Sequence, residues 1–111
     1  MDIYFKTKAL QKICENHESA KKKLGDIMAR KLGQRMMELW AAENLSDMAL
    51  LPGARIHELS GDRKGQLSVD LKHPYRLLFL PANIPLPLKE DGGLDWSAVT
   101  EIEIIEIVDT H

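Results

Sequence analysis

Apolar residues recur at helical spacing along the first half of this chain and at strand spacing along the second. Ile3 and Phe5 alternate with Asp2, Tyr4 and Lys6, which predicts a short opening strand. Thr7 is placed to cap a helix carrying Leu10, Ile13 and Cys14 on one side, and residues 16–19 read as a break. Leu24, Ile27, Met28, Leu32, Met36, Leu39 and Trp40 then step by three and four residues, the apolar stripe of one long helix. Such a stripe, its methionines and tryptophan included, is expected to pack into the core. Gly25 and Gly33 each weaken that helix by about 1 kcal/mol relative to Ala, or let a neighbour approach closely.

From residue 54 the period changes to two. ARIHEL, QLSVDL, YRLLFL and TEIEIIEIV are four strand candidates rich in branched apolar residues. GDRKG and KHP supply tight turns between the first three, predicting an antiparallel meander. The prolines and paired glycines of PANIPLPLKEDGGLDWSAV exclude a regular strand through most of residues 81–99. A loop stiffened by proline accounts for that stretch better than a polyproline ligand does. The predicted fold is α+β: an N-terminal strand and two helices packed on one face of an antiparallel β-sheet.

Length and composition narrow the picture. The 111 residues make one domain, 1–111, with 44% hydrophobic and 29% charged residues, as in an ordinary globule. No apolar run approaches the roughly 20 residues of a membrane span, so no membrane partner is expected. The opening MDIYFKTKAL has neither a charged n-region nor an apolar h-region, so no signal peptide is expected. Cys14 is the single cysteine, which excludes an intrachain disulfide and points to a reducing, cytoplasmic setting. The four histidines form no ligand-spaced pair, so neither a metal nor another cofactor is expected.

A net charge of −2 argues against an indiscriminate nucleic-acid binder. The charge is unevenly spread. Lys6, Lys8, Lys12, Lys21, Lys22, Lys23, Arg30, Lys31 and Arg35 make the first third basic, whereas after Pro87 carboxylates face only Lys89.

The chemistry-bearing residues gather in the meander. Ile56 and His57 must point to opposite faces of a strand, so an Ile56 in the core puts His57 on the open face beside Arg55. Arg63 and Lys64 occupy the turn that follows. Arg76 is the only charged residue of YRLLFL, and a half-buried guanidinium there needs an anionic partner. The chain ends in Asp109, Thr110 and His111. Such a group suits RNA cleavage without a metal: a base deprotonates the 2′-hydroxyl, cations neutralise the phosphate, and an acid protonates the leaving oxygen. Two histidines can divide those roles, because an imidazole can both take up and give back a proton near neutrality. The same residues also serve plainer ends, as surface side chains of a strand and salt-bridge partners.

The run LPGARIHELSGDRKGQLSV, then HPYRLLF, then EIIEIVDTH, resembles the HigB-type killer toxins of the RelE/ParE superfamily, and the order of elements agrees. The resemblance implies a RelE-like α+β toxin of a type II toxin–antitoxin system. It implies a helix-turn-helix, HigA-like antitoxin as partner, a higher-order complex on operator DNA, and ribosome-dependent, metal-free cleavage of mRNA. On this resemblance His57, Arg76, Asp109 and His111 match catalytic positions, with Arg76 stabilising the phosphate; Arg55, Arg63 and Lys64 become candidate RNA contacts. The chain departs from the family pattern at Ser60, where lysine is frequent, and at Thr110, where an aromatic residue is frequent. Two other readings stand beside the nuclease: a toxin-fold binder without nuclease chemistry, inhibiting a target as ParE-like relatives inhibit DNA gyrase, and a degenerate toxin acting only in a repressor complex.

Overall fold

A computed structural model of the chain describes residues 1–109, and within them the elements follow the order strand, helices, meander. Strand β1 spans Asp2–Phe5; helices α1, α2, α3 and α4 span Lys8–Glu15, His17–Leu24, Asp26–Ala41 and Leu45–Met48. Strands β2, β3, β4 and β5 span His57–Glu58, Leu67–Asp70, Tyr75–Pro81 and Glu101–Asp109. The sheet order is β1-β5-β4-β3-β2.

Two sequence expectations are corrected. The sheet is mixed rather than antiparallel: β1 pairs in parallel with β5, Ile3 opposite Ile102 and Phe5 opposite Ile104. The turns that made the meander antiparallel govern only adjacent strands, whereas β1 reaches its partner from the other end of the chain. There are also four helices among the described residues, not two. Thr7 Oγ1 accepts from the Leu10 N–H and Asn16 Oδ1 from the Ser19 N–H, so Asn16 alone both ends α1 and starts α2. Gly25, at φ 86°, then separates α2 from α3, a conformation that glycine alone adopts freely. With the long stripe cut there, Met28, Leu32, Met36 and Leu39 enter the core, while Ile27 is 63% exposed and Trp40 42% exposed.

The core joins those four α3 residues and Leu45 and Met48 of α4 to Leu67, Val69, Leu77, Phe79, Ile102 and Ile104 of the sheet. Each fully buried side chain of this size stabilises the fold by about 1.5–3 kcal/mol before the entropy of ordering it is counted. Beyond Ile104, strand β5 changes phase through a bulge. Leu78 lies opposite Glu106 and Phe79 opposite Ile104, leaving Ile105 as the extra residue.

One charge sits inside this apolar layer. Arg35 of α3 is 3% exposed, and its guanidinium donates from Nε to the Asp70 carbonyl at 2.7 Å and from Nη2 to the Gly53 carbonyl at 2.6 Å. Its Nη1 pairs with Glu38 at 3.0 Å. A buried cation is tolerated only with this degree of pairing. The Asp70 N–H in turn donates to the Ala54 carbonyl at 2.8 Å, so residues 53–54 and the end of β3 are tied together and to α3.

Replacing Arg35 by Met should therefore lower stability by roughly 3 kcal/mol in a denaturant titration, the low end for breaking a buried pair because Glu38 keeps partial contact with water. A loss under about 1 kcal/mol would mean that the freed carbonyls are hydrated at no cost. Burial, and after it the neighbouring Glu15 carboxylate, pushes the Cys14 thiol up to about 12. Only the thiolate reacts with an alkylating reagent, so native Cys14 should resist labelling at pH 8 and react once the chain is unfolded. Rapid labelling of the native protein would contradict its burial.

Candidate active site

The face of the meander turned away from the core is set by register. His57 pairs with Ser68, Ser68 with Leu78 and Leu78 with Glu106, so these four share one face in a row across the sheet. Two residues along, Asp70, Arg76 and Val108 form the next row on that face. Ile56 packs against the core, as the sequence expectation for His57 required.

The strand predicted over ARIHEL is shorter than expected, only His57–Glu58. Arg55 interrupts it by taking φ 47°, the left-handed region that L-residues other than Gly, Asn and Asp rarely occupy. That turn brings the Arg55 carbonyl to 3.1 Å from His57 Nδ1. On the other side of the ring, His57 Nε2 lies 3.0 Å from Arg76 Nη1. A guanidinium can only donate, so Nε2 accepts and the proton sits on Nδ1, donated to the Arg55 carbonyl. The two contacts thus select one tautomer and orient the ring.

Arg76 has the anionic partner that its position in YRLLFL demands. Its Nε lies 3.5 Å from Asp70 Oδ1, and Arg55 Nε lies 3.5 Å from Asp70 Oδ2. Both spacings exceed those of a tight charge-assisted hydrogen bond, so the carboxylate holds the arginines loosely. Arg76 is largely enclosed, with a side chain 16% exposed, whereas the Arg55 side chain is 71% exposed. A recess of about 110 Å³ opens here, lined by Arg55, Asp70, His73, Tyr75 and Arg76 among others. It is well below the roughly 300–1,000 Å³ of an enclosed small-molecule pocket, so an extended chain lying across the face fits better than a buried metabolite. A wider groove of about 560 Å³ between the α2–α3 junction and residues 72–75 shares His73 and Tyr75 but none of the arginines.

The remaining sequence candidates are dispersed. Arg63 reaches from the turn after β2 to Glu106, 3.0 Å away on the same face, and its Nη1 also approaches Gln66 at 3.4 Å. Lys64 is exposed on that turn. Asp109 ends β5 opposite Tyr75, one residue beyond the Val108–Arg76 pair. Thr110 and His111 lie outside the described residues. Among the described residues no group of three or more His, Cys, Asp or Glu side chains could hold a metal ion, and no helix is long and apolar enough to cross a membrane.

Sequence reasoning missed two residues of this arrangement, Asp70 and Arg35. The signals were present. Aspartate is depleted in strands, and Asp70 stands two residues from Ser68, hence on the face of His57. Arg35 follows Met28 by seven residues, the same face of α3, where a charge implies a buried pair.

Residues 3–84 match the family model described as the RelE-like toxin of type II toxin–antitoxin system HigB. In three dimensions the chain is similar to the YoeB/ParE toxin from Agrobacterium tumefaciens, with a TM-score of 0.54 over 100% of both chains and 11% sequence identity. At that identity the likeness is one of fold. No curated protein sequence matches the chain. The family model covers more than half of the chain, from β1 to just past β4, and the chain belongs to the HigB-like family of RelE-type toxins from type II toxin–antitoxin systems.

Proposed function

We propose that this toxin is a ribosome-dependent endoribonuclease that cuts mRNA without a metal. The observation that carries the reading is the 3.0 Å contact between Arg76 Nη1 and His57 Nε2, a cation and a proton acceptor together on the sheet face turned away from the helices, at the edge of a shallow recess. An RNA phosphate arriving beside Arg76 would draw the guanidinium toward its oxygens and release the His57 lone pair. His57 Nε2 then takes the 2′-hydroxyl proton, and O2′ attacks phosphorus in line. Arg76 neutralises the pentacovalent phosphate. The bond to O5′ breaks, His111 protonates that oxygen, and a 2′,3′-cyclic phosphate remains. Asp109, at the end of β5, is the acidic member of the catalytic group; Arg55, Arg63 and Lys64 bind flanking phosphates.

A type II toxin implies an antitoxin partner, and we assign it to the HigA-like, helix-turn-helix kind, acting in the cytoplasm and joining the toxin on operator DNA. A toxin-fold binder without nuclease chemistry is the second reading. The Arg63–Glu106 pair favours it, since that pairing withdraws one cation from any RNA, as does the net charge of −2.

Arg76→Ala should lower single-turnover cleavage of ribosome-bound mRNA by on the order of 10²-fold or more, as for loss of one preorganised donor. Ribosome binding should change far less, because other contacts share that load. Arg76→Lys should restore only part of the rate, since a point charge lacks the fork. If Arg76 serves only to pair with Asp70, the Ala variant instead loses stability while its folded fraction keeps full activity, and the assignment of nuclease chemistry to this face falls.

Deleting Thr110 and His111 should leave unfolding within about 1 kcal/mol of the parent, as for changes outside a core, and abolish growth inhibition. A truncated protein that still arrests growth would remove His111 from the mechanism.

A further inference from the structure

We infer that Asp70 is a positioning residue of the cleavage reaction, acting through Arg76; the inference rests on the nuclease reading above. Its carboxylate lies 3.5 Å from Nε of Arg76 and 3.5 Å from Nε of Arg55. A guanidinium is flat, so an anion on its Nε side, even in loose ionic contact, biases the plane toward the orientation in which Nη1 meets His57 Nε2 at 3.0 Å. The backbone of Asp70 is itself immobilised, its carbonyl by buried Arg35 at 2.7 Å and its N–H by the Ala54 carbonyl at 2.8 Å. The Asp70 backbone is therefore held on both its polar groups, and its carboxylate offers Arg76 a fixed reference.

Charge gives this role a distinctive sign. A carboxylate beside a bound phosphate repels it, so an Asp70 with no positioning role hinders catalysis, and its neutralisation would strengthen RNA binding and leave the rate equal or higher. A positioning role demands the reverse: Asp70→Asn, nearly identical in shape, slows cleavage although the face becomes more positive.

The test is a double-mutant cycle of Asp70→Asn and Arg76→Ala in single-turnover cleavage of mRNA on programmed ribosomes, with rates taken per folded molecule. Asp70→Asn should lose about 10-fold or more in rate, with ribosome affinity equal or tighter, because a misaimed donor forfeits part of what its removal forfeits. Added to Arg76→Ala it should cost nothing further, since the residue through which it acts is gone. Asp70→Glu, which keeps the charge, should recover part of the rate. Should Asp70→Asn unfold at assay temperature, Asp70→Ser takes its place in the same cycle. A neutral variant that cleaves at the parent rate, or whose loss multiplies with that of Arg76→Ala, overturns the positioning role and leaves the nuclease reading intact. An Arg76→Ala protein that cleaves normally overturns the positioning role and the assignment of cleavage to this face; a parent protein that does not cleave overturns the nuclease reading itself.

Discussion

The candidate site depends on a cation that is not part of it. Strand β2 is two residues long, and a pairing of that length has little stability of its own. What keeps it in place lies behind it: Arg35, buried on α3, donates to the carbonyls of Gly53 and Asp70 and so fastens the approach to β2 and the end of β3 to one helix. An apolar residue at that position would escape the cost of desolvating a guanidinium, but it would leave the Gly53 and Asp70 carbonyls and Glu38 without their donor, and the expected loss arises there. Such a residue could not bind two backbone oxygens at once. The ion therefore contributes geometry as well as energy, and that geometry is carried forward by Asp70 to Arg76 and His57.

A second constraint comes from the alternation of β5. Ile102 and Ile104 are both in the core, and strict alternation would turn Glu106 and Val108 inward and Ile105 and Ile107 outward. The bulge at Ile105 reverses this. Ile107 packs against the core, while Glu106 emerges opposite Leu78 and meets Arg63. The doubled isoleucine in EIEIIEIV is what a strand needs to change phase without burying a carboxylate, and one extra residue decides the polarity of half the open face.

These two features show where the sequence was legible. Period-two and period-3.6 patterns report burial, so the α+β order, the strand segments and the opposed faces of Ile56 and His57 were all readable. A pattern cannot show a backbone angle. The left-handed turns at Gly25 and Arg55 cut the long helix and shortened the first meander strand, and both depend on local conformation that apolar spacing leaves open. Nor can a pattern show which distant segments meet. The parallel β1–β5 pairing and the bonds from Arg35 to Gly53 and Asp70 join residues 18 to 99 positions apart. The need for an anion beside Arg76 could be read from its strand, but its identity waited on register.

The charges of this face bear on how a protein of net charge −2 could present arginines to the polyanion that the proposed reading requires. Asp70 faces Arg55 and Arg76, and Glu106 faces Arg63, so three guanidinium groups are matched by two carboxylates at ion-pair distance. Seen from beyond a Debye length, roughly 8–10 Å in physiological salt, such pairs nearly cancel and give little long-range steering toward RNA. At contact the balance changes, because a phosphate competes with a carboxylate held at 3.5 Å rather than at a tight hydrogen-bond distance. A face built this way gives up speed of encounter and keeps its arginines aimed while unoccupied. On the nuclease reading proposed above, that exchange would suit a substrate presented by a larger assembly, where proximity comes from docking and the reaction needs only a short movement of one guanidinium.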